Sequence, residues 1–348
     1  MRMQARLLSL ETAVPRHRLD TEDVIREATA IFGGRHPDFE RLLPVYANSG
    51  VRSRYSVMDY DWFRSPQGWP ERSDAFVDGA CAMFRTCAAA ALAAAGVAAD
   101  AIDTIVTVSS TGVATPTIEA RVLHDMGFRD DVKRVPVFGL GCAGGVSGLS
   151  LAGRLAAAQP QSLVLLVVIE LCTVTFRADE ISKSNIVGTA LFGDGAAAAV
   201  LSTSGQGLGA IEHMGEHTWA DTIDIMGWRV DPQGFGVIFS RSIPDLATSE
   251  LRPAADGFLT RHGLSLADVD AYSFHPGGAK VVTALETAFD LPDGHLADER
   301  DILADFGNMS APTVLFVLKR ALARGGAARR FVSSLGPGFT ASFLTMLG

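Results

Sequence analysis

Three side chains in this sequence have the types needed for acyl chemistry: Cys142, His275 and Asn308. Cys142 lies in Gly-Leu-Gly-Cys-Ala-Gly-Gly (139–145), after an apolar run at 135–138. A small-residue stretch from about 146 to 158 follows and predicts a helix. A thiol at that point meets unpaired backbone N–H groups and the positive end of the helix dipole, and both favour its thiolate. The glycines strip away bulk, so a large substrate can reach the sulfur. Structural cysteines usually sit mid-face among apolar neighbours, where the thiolate is disfavoured; Cys142 has the setting of a nucleophile. His275 ends a strand predicted over 271–274 and leads into Pro276-Gly277-Gly278, whose glycines leave room beside the imidazole. Asn308 stands between Gly307 and Met309-Ser310, before a helix predicted over 312–323. Asn is also among the best N-cap residues, so a purely structural role competes there.

Other patterns suggest other chemistries and fit less well. Gly139, Gly141 and Gly144 satisfy the dinucleotide fingerprint G-x-G-x-x-G. That fingerprint normally opens the first unit of its domain, and the acidic residue expected about 20 positions on comes late, at Glu170. His213 and His217, four apart in HMGEH, would suit a metal on a helix, but a glycine separates them and no third ligand is near. No metal site is expected. Cys81, Cys87, Cys142 and Cys172 form no C-x-x-C pair and no zinc pattern. Cys81 and Cys87, six apart in an Ala-rich helical stretch, are expected on different faces.

The elements that must position these residues alternate between strand-like and helix-like stretches, as in α/β proteins. They also repeat. Residues 101–127 and 268–291 both read as an acidic start, a strand, a Gly turn and a helix. Gly141-Cys142 before a helix is then matched by Gly307-Asn308 before a helix. Each half closes with a buried strand, a Gly-rich turn and a last strand: 163–169, 193–195 and 196–201, then 331–335, 336–338 and 341–347. The expectation is a duplicated α/β unit of two halves, 1–203 and 204–348, joined near Ser-Thr-Ser-Gly-Gln-Gly (202–207). In that register Cys142 and Asn308 are counterparts.

Bulk properties narrow the class. The chain has 348 residues, 48% of them hydrophobic, and a mean hydropathy of +0.22, which describes a well-buried globular protein. A formal charge of -9 argues against nucleic acid as the main partner, though not against an anionic small substrate held by local arginines. The longest apolar run, 163–169, is too short to span a bilayer, and the N-terminus shows no secretion signal. Cytoplasmic residence is expected.

Together the motifs resemble type III polyketide synthases, the chalcone synthase-like family of the thiolase superfamily, over essentially the full length. The resemblance rests on GC-x-GG around Cys142, TVTFR at 173–177, ALFGDGAAA at 190–198, HPGG at 275–278, GNMS at 307–310 and GPGFT at 336–340. It implies a layered αβαβα fold, Cys142 as the acyl-carrying nucleophile, and His275 and Asn308 as the residues of decarboxylation. Phe192 and Phe239 resemble the family's gatekeeping phenylalanines. Thr111, Thr175 and Ser310 match cavity-lining positions, and Gly336-Pro337-Gly338 the active-site loop. The implied substrates are acyl-CoA and malonyl-CoA, with no metal or redox cofactor, and the implied assembly is a homodimer. An imidazolium beside Cys142 is expected to lower its pKa from about 8.5.

Departures bear on the substrate. Where plant members carry basic residues for coenzyme A phosphates, Arg41 matches one, while Pro44 and Asn48 replace others. Thr115 replaces a methionine and Cys172 a threonine. The segment 226–244 resembles bacterial members that make alkylpyrones or alkylresorcinols from fatty acyl starters. Small residues at Ala143, Gly144 and Thr115 are expected to leave an apolar tunnel beside the nucleophile. Two alternatives stand: a single condensation of the ketoacyl synthase III type, and a catalytically silent partner subunit.

Overall fold

A computed structural model describes residues 4–348. In chain order its strands are β1 (Arg6–Ala13), β2 (His17–Asp20), β3 (Ser53–Ser56), β4 (Thr104–Val108), β5 (Lys133–Val137), β6 (Val164–Leu171) and β7 (Asp194–Ser202). Then come β8 (Gly209–Thr218), β9 (Met226–Asp231), β10 (Gly234–Phe239), β11 (Ala271–Phe274), β12 (Arg329–Gly336) and β13 (Thr340–Leu347). Nine of these form one mixed sheet in the order β11-β12-β13-β8-β1-β7-β6-β4-β5. The repeat read from sequence is visible in that order. In the first half β4 and β6 pair parallel, and β6 with β7 and β7 with β1 antiparallel. In the second, β11 and β12 pair parallel, and β12 with β13 and β13 with β8 antiparallel. The halves meet where β1 pairs β8 through Arg6–Ala210 and Leu7–Gly209, and the turn 203–208 between β7 and β8 is the seam.

Five layers result. On β6, Leu165, Val167 and Ile169 face an outer cluster with Phe76, Phe84 and Leu92 of the helix Trp69–Ala95. The alternate residues, Val164, Leu166 and Val168, face a middle layer. That layer holds the helices Gly144–Ala158 and Thr313–Arg324, gripped also by Val332 and Leu344 of the second half. Beyond it, Ile243–Arg261 and Ala279–Ala288 cover the far face of β12 and β13. This is the expected αβαβα arrangement. The small residues of 144–158 are what lets this helix lie between the two halves of the sheet and close to the chain leading into Thr313–Arg324: a Cβ on Gly145 would come 2.3 Å from the Ala311 carbonyl oxygen.

Several local expectations change. Cys81 and Cys87 are both buried in one cluster, because Trp69–Ala95 packs on the sheet and also against the helix Ile118–Val122, which widens its buried arc. Among the described residues that helix is long and apolar enough to cross a membrane, but it lies against β1, β6 and β7. His213 and His217 sit on β8, not on a helix. His213 stacks on His262 at 4.1 Å and His217 meets Trp219 edge-on at 4.6 Å. Among the described residues no cluster of His, Cys, Asp and Glu could hold a metal.

Candidate active site

Cys142 occupies a single 3-10 turn, Gly141–Ala143, that runs straight into the helix Gly144–Ala158. The turn is fixed from outside: Gly141 N–H donates to Ser110 Oγ at 2.9 Å. His275 follows β11, and its backbone N–H donates to the Ser333 carbonyl at 3.0 Å. Asn308 comes after Gly307, whose φ of +69° suits a residue without a Cβ. Its backbone bridges the Phe192 segment: Asn308 N–H donates to Leu191 O at 2.8 Å, and Gly193 N–H to Asn308 O at 3.1 Å.

The Asn308 side chain is no helix cap, since the helix starts at Thr313 behind Pro312. Its Oδ1 accepts from Ser310 N–H at 2.8 Å, and its Nδ2 donates to Gly277 O at 3.1 Å, in the loop that carries His275. Asn308 and Ser310 also lie within hydrogen-bond reach of the Cys142 thiol. Three loops from both halves therefore converge, with Asn308 touching the other two.

The electrostatics differ from the expected ion pair. Cys142 is partly exposed and lines a cavity with Phe192 and Phe239; burial pushes its thiol up to about 12, with the Glu170 carboxylate adding to the rise. His275 is 5% exposed, neither ring nitrogen has a partner, and burial lowers its pKa to about 3. Burial thus disfavours the charged form of both groups and works against the pull of the helix end on the thiolate.

The Cys142 cavity, about 50 Å³, is lined by Thr111, Phe192, Phe239, Ser310 and Pro337 among others. Phe192 and Phe239 stand edge to face with centroids 6.2 Å apart. Thr175 lies elsewhere: with Cys172 it lines a second, apolar cavity of about 100 Å³ between the helices Thr21–Phe32, Tyr60–Arg64 and Lys183–Leu191. Cys172, Phe192, Trp228 and Val237 line both cavities and form the partition between them. Gly336 does not line the cysteine cavity but packs against Ala143, where a Cβ would come 2.6 Å from the Ala143 Cβ. Gly338 turns the chain at φ +93°, its carbonyl accepting from Thr222 Oγ1 at 2.9 Å. Arg41 is on the surface, its side chain 85% exposed and 3.6 Å from Asp38, and lines neither cavity. No tunnel runs past Ala143 and Gly144, where Gly336, Val108 and Ala311 fill the space; Thr115 is exposed.

Sequence reasoning missed two residues. Glu170, considered only as a misplaced ribose ligand, is fully buried at the end of β6. Its Oε2 accepts from Ser110 N–H at 2.9 Å, and burial raises its pKa to about 8. Trp228 donates from Nε1 to Ser110 O at 2.8 Å, which fixes the partition to the same residue that holds the cysteine turn. The only sequence signal for Trp228 was its place in the 226–244 segment.

Family comparisons agree with this geometry. The chalcone and stilbene synthase N-terminal domain matches residues 1–205, and the C-terminal domain of the same description residues 220–346. A putative chalcone synthase of Bacillus subtilis is 34% identical over 97% of both chains. A 1,3,6,8-tetrahydroxynaphthalene synthase of Streptomyces peucetius is 35% identical over 97% of this chain and 92% of that one. An alpha-pyrone synthesis polyketide synthase-like protein of Mycobacterium tuberculosis is 28% identical over 95% and 88%. The crystal structure of the Streptomyces coelicolor tetrahydroxynaphthalene synthase, a bacterial type III polyketide synthase, superposes with a TM-score of 0.92 at 28% identity, over 98% and 99% of the chains. With both family domains in place and this architecture around them, the chain belongs to the chalcone and stilbene synthases, the type III polyketide synthases, and is an acyltransferase.

Proposed function

We propose that this enzyme carries a medium- to long-chain fatty acyl starter on Cys142, extends it with malonyl-CoA, and releases mainly alkylpyrones or alkylresorcinols. The observation that carries the substrate choice is the apolar cavity behind Cys172 and Phe192. Each methylene buried there contributes about 0.8 kcal/mol, partly offset by ordering the chain.

In the proposed reaction, neutral His275 takes the proton of Cys142 as the sulfur attacks the acyl-CoA carbonyl, and returns it to the departing coenzyme A thiolate. Its unpartnered nitrogens and low basicity at rest suit a base that is charged only transiently. Malonyl-CoA then loses CO₂, and the enolate oxygen forms where Asn308 Nδ2 and the His275 N–H can donate. One such donor is worth roughly 2.7–4 kcal/mol of barrier. Asn308 Nδ2 spends one hydrogen on Gly277 and keeps the other for that oxygen. The enolate carbon attacks the Cys142 thioester and frees the sulfur for the next round. A pyrone needs only an enol oxygen to attack the last thioester. Coenzyme A thioesters supply all the chemistry.

A homodimer is proposed as well. Val113 and Phe138, 51% and 53% exposed in the loops after β4 and β5, are large apolar side chains that a second copy would cover. Light scattering that shows a stable monomer at micromolar concentration would refute it. The starter proposal is tested by competition between equimolar lauroyl-CoA and acetyl- or aromatic acyl-CoA with malonyl-CoA, read by mass spectrometry. Lauroyl-derived products should dominate; preference for the short or aromatic starter would mean the second cavity takes no tail.

A further inference from the structure

The second cavity is apolar on most of its wall but contains a buried cation. Arg54, on β3, is 2% exposed, and among the described residues it makes no ion pair with any carboxylate. Its stem packs behind the active site, where a Cβ on Gly193 or Gly307 would come 3.0 or 3.3 Å from the Arg54 Cβ. Nη1 donates to the Thr189 carbonyl and Nη2 to Thr21 Oγ1 at 3.2 Å, while Nε has no partner. A guanidinium carries five N–H groups, so most of its donor capacity is unused. The Tyr60 hydroxyl, on the same cavity, is buried and also without a partner.

The other polar groups on that wall are satisfied. Both Glu27 oxygens are taken by Arg64, at 2.9 and 2.7 Å. Asn185 Nδ2 donates to two backbone carbonyls, and Thr189 Oγ1 bonds to Tyr46 and Ile186. A buried charge without a counter-ion is costly; burial, partly offset by Tyr46 and Tyr60, lowers the Arg54 pKa to about 10, so it stays charged at neutral pH. The wall therefore offers one uncompensated positive charge and one free phenol amid alkyl and aromatic surface.

We propose that Arg54 and Tyr60 bind the distal carboxylate of an ω-carboxyacyl starter, the mono-thioester of a long α,ω-dicarboxylic acid. This rests on the reading that the second cavity receives the acyl chain of a Cys142 thioester. The methylenes cross the partition of Cys172, Phe192, Trp228 and Val237, and the terminal carboxylate meets the planar fork of the guanidinium, which matches it geometrically. A charge fixed at one depth makes the site a ruler. Diacid thioesters should therefore show a sharp optimum in length, whereas methyl-ended chains should improve gradually as more methylenes are buried.

The test compares kcat/KM for mono-CoA thioesters of diacids, from adipic to tetradecanedioic acid, with the matching fatty acyl-CoAs. At the optimal length the diacid should exceed its methyl-ended counterpart by about tenfold in the wild type, as for one charge-assisted hydrogen-bonded pair. That ratio should fall to one or below in Arg54→Met and several-fold in Tyr60→Phe. Because each ratio is taken within one variant, partial misfolding of Arg54→Met does not disguise the result, and the milder Tyr60→Phe gives a second reading. Fatty acyl-CoAs used with no diacid preference at any length, or a preference that survives both substitutions, overturns this proposal alone. If neither series is used better than acetyl-CoA, the fatty acyl reading falls and takes this one with it.

Discussion

The two halves of the molecule share a strand pattern but place different chemistry at the ends of the strands. The registers β4–β6 and β11–β12 make Glu170 the counterpart of Leu335, Asp194 of Thr340, and Ser109 of His275. The half that holds Cys142 is thus braced by buried acids at these positions. Glu170 holds the Ser110 backbone, and Asp194 accepts from Val57 N–H, Thr173 N–H and Thr173 Oγ1 at 2.9, 2.7 and 2.6 Å. The opposite half has apolar and neutral residues at those two positions and contributes the imidazole and the amide. Duplication supplied one frame, and the division of labour came from what each copy put at the same strand ends.

The comparison breaks first at Cys142. Cys142→Ala should abolish acyl loading and extension in a folded protein, read by intact mass and product analysis; residual extension would move the nucleophile elsewhere. In the opposite half, Asn308→Ala should leave starter loading on Cys142 while slowing malonyl-CoA decarboxylation by about 10²–10³. Parallel loss of both steps would mean that its amide matters mainly for bracing the His275 loop.

The protonation state of Cys142 sharpens the contrast between halves. With the thiol pushed up to about 12, alkylation by iodoacetamide should rise roughly tenfold per pH unit and keep rising above pH 9. A plateau below pH 7 would reveal a thiolate–imidazolium pair at rest. A smaller effect concerns stability. Burial raises the Glu170 pKa to about 8 from the 4.5 of a free glutamate, so between those values the native state holds a proton that the unfolded chain has released. Stability from this group is complete below about pH 4.5 and is lost as pH rises towards 8. Urea midpoints should therefore decline less across that window in Glu170→Gln than in the wild type. An equal decline would show that Glu170 stays ionised.

Much of this arrangement was legible before any coordinates. The strand expected over 271–274 matches β11 to the residue, and Cys142 leads into a helix as its glycines predict, whereas the helix after Asn308 begins only at Thr313. What escaped depends on distant segments meeting. The second cavity is walled by Thr21–Phe32, Tyr60–Arg64 and Lys183–Leu191, over a hundred residues apart at the extremes, and no period or motif marks it. Arg54 looks like any strand arginine until Thr189 and Thr21 are seen around it. Arg41 shows the reverse: a motif match whose side chain stands in solvent, away from both cavities. The burial that works against the expected cysteine ion pair escaped as well, because sequence shows the helix end but not the depth of burial.

The backbone bridge between Phe192 and Asn308 has a consequence for how this enzyme can change. Phe192, which lines the cavity, and Asn308, proposed to hold the enolate, are parts of one hydrogen-bonded piece, so in that proposal specificity and turnover share a mechanical part. A substitution at Phe192 that shifts its backbone also moves the Asn308 segment bridged to it. Phe239 and Trp228 ride instead on the separate two-stranded ribbon of β9 and β10, whose residues can be exchanged while that bridge stays intact. New starters are most easily acquired through the ribbon, with Phe192 held constant.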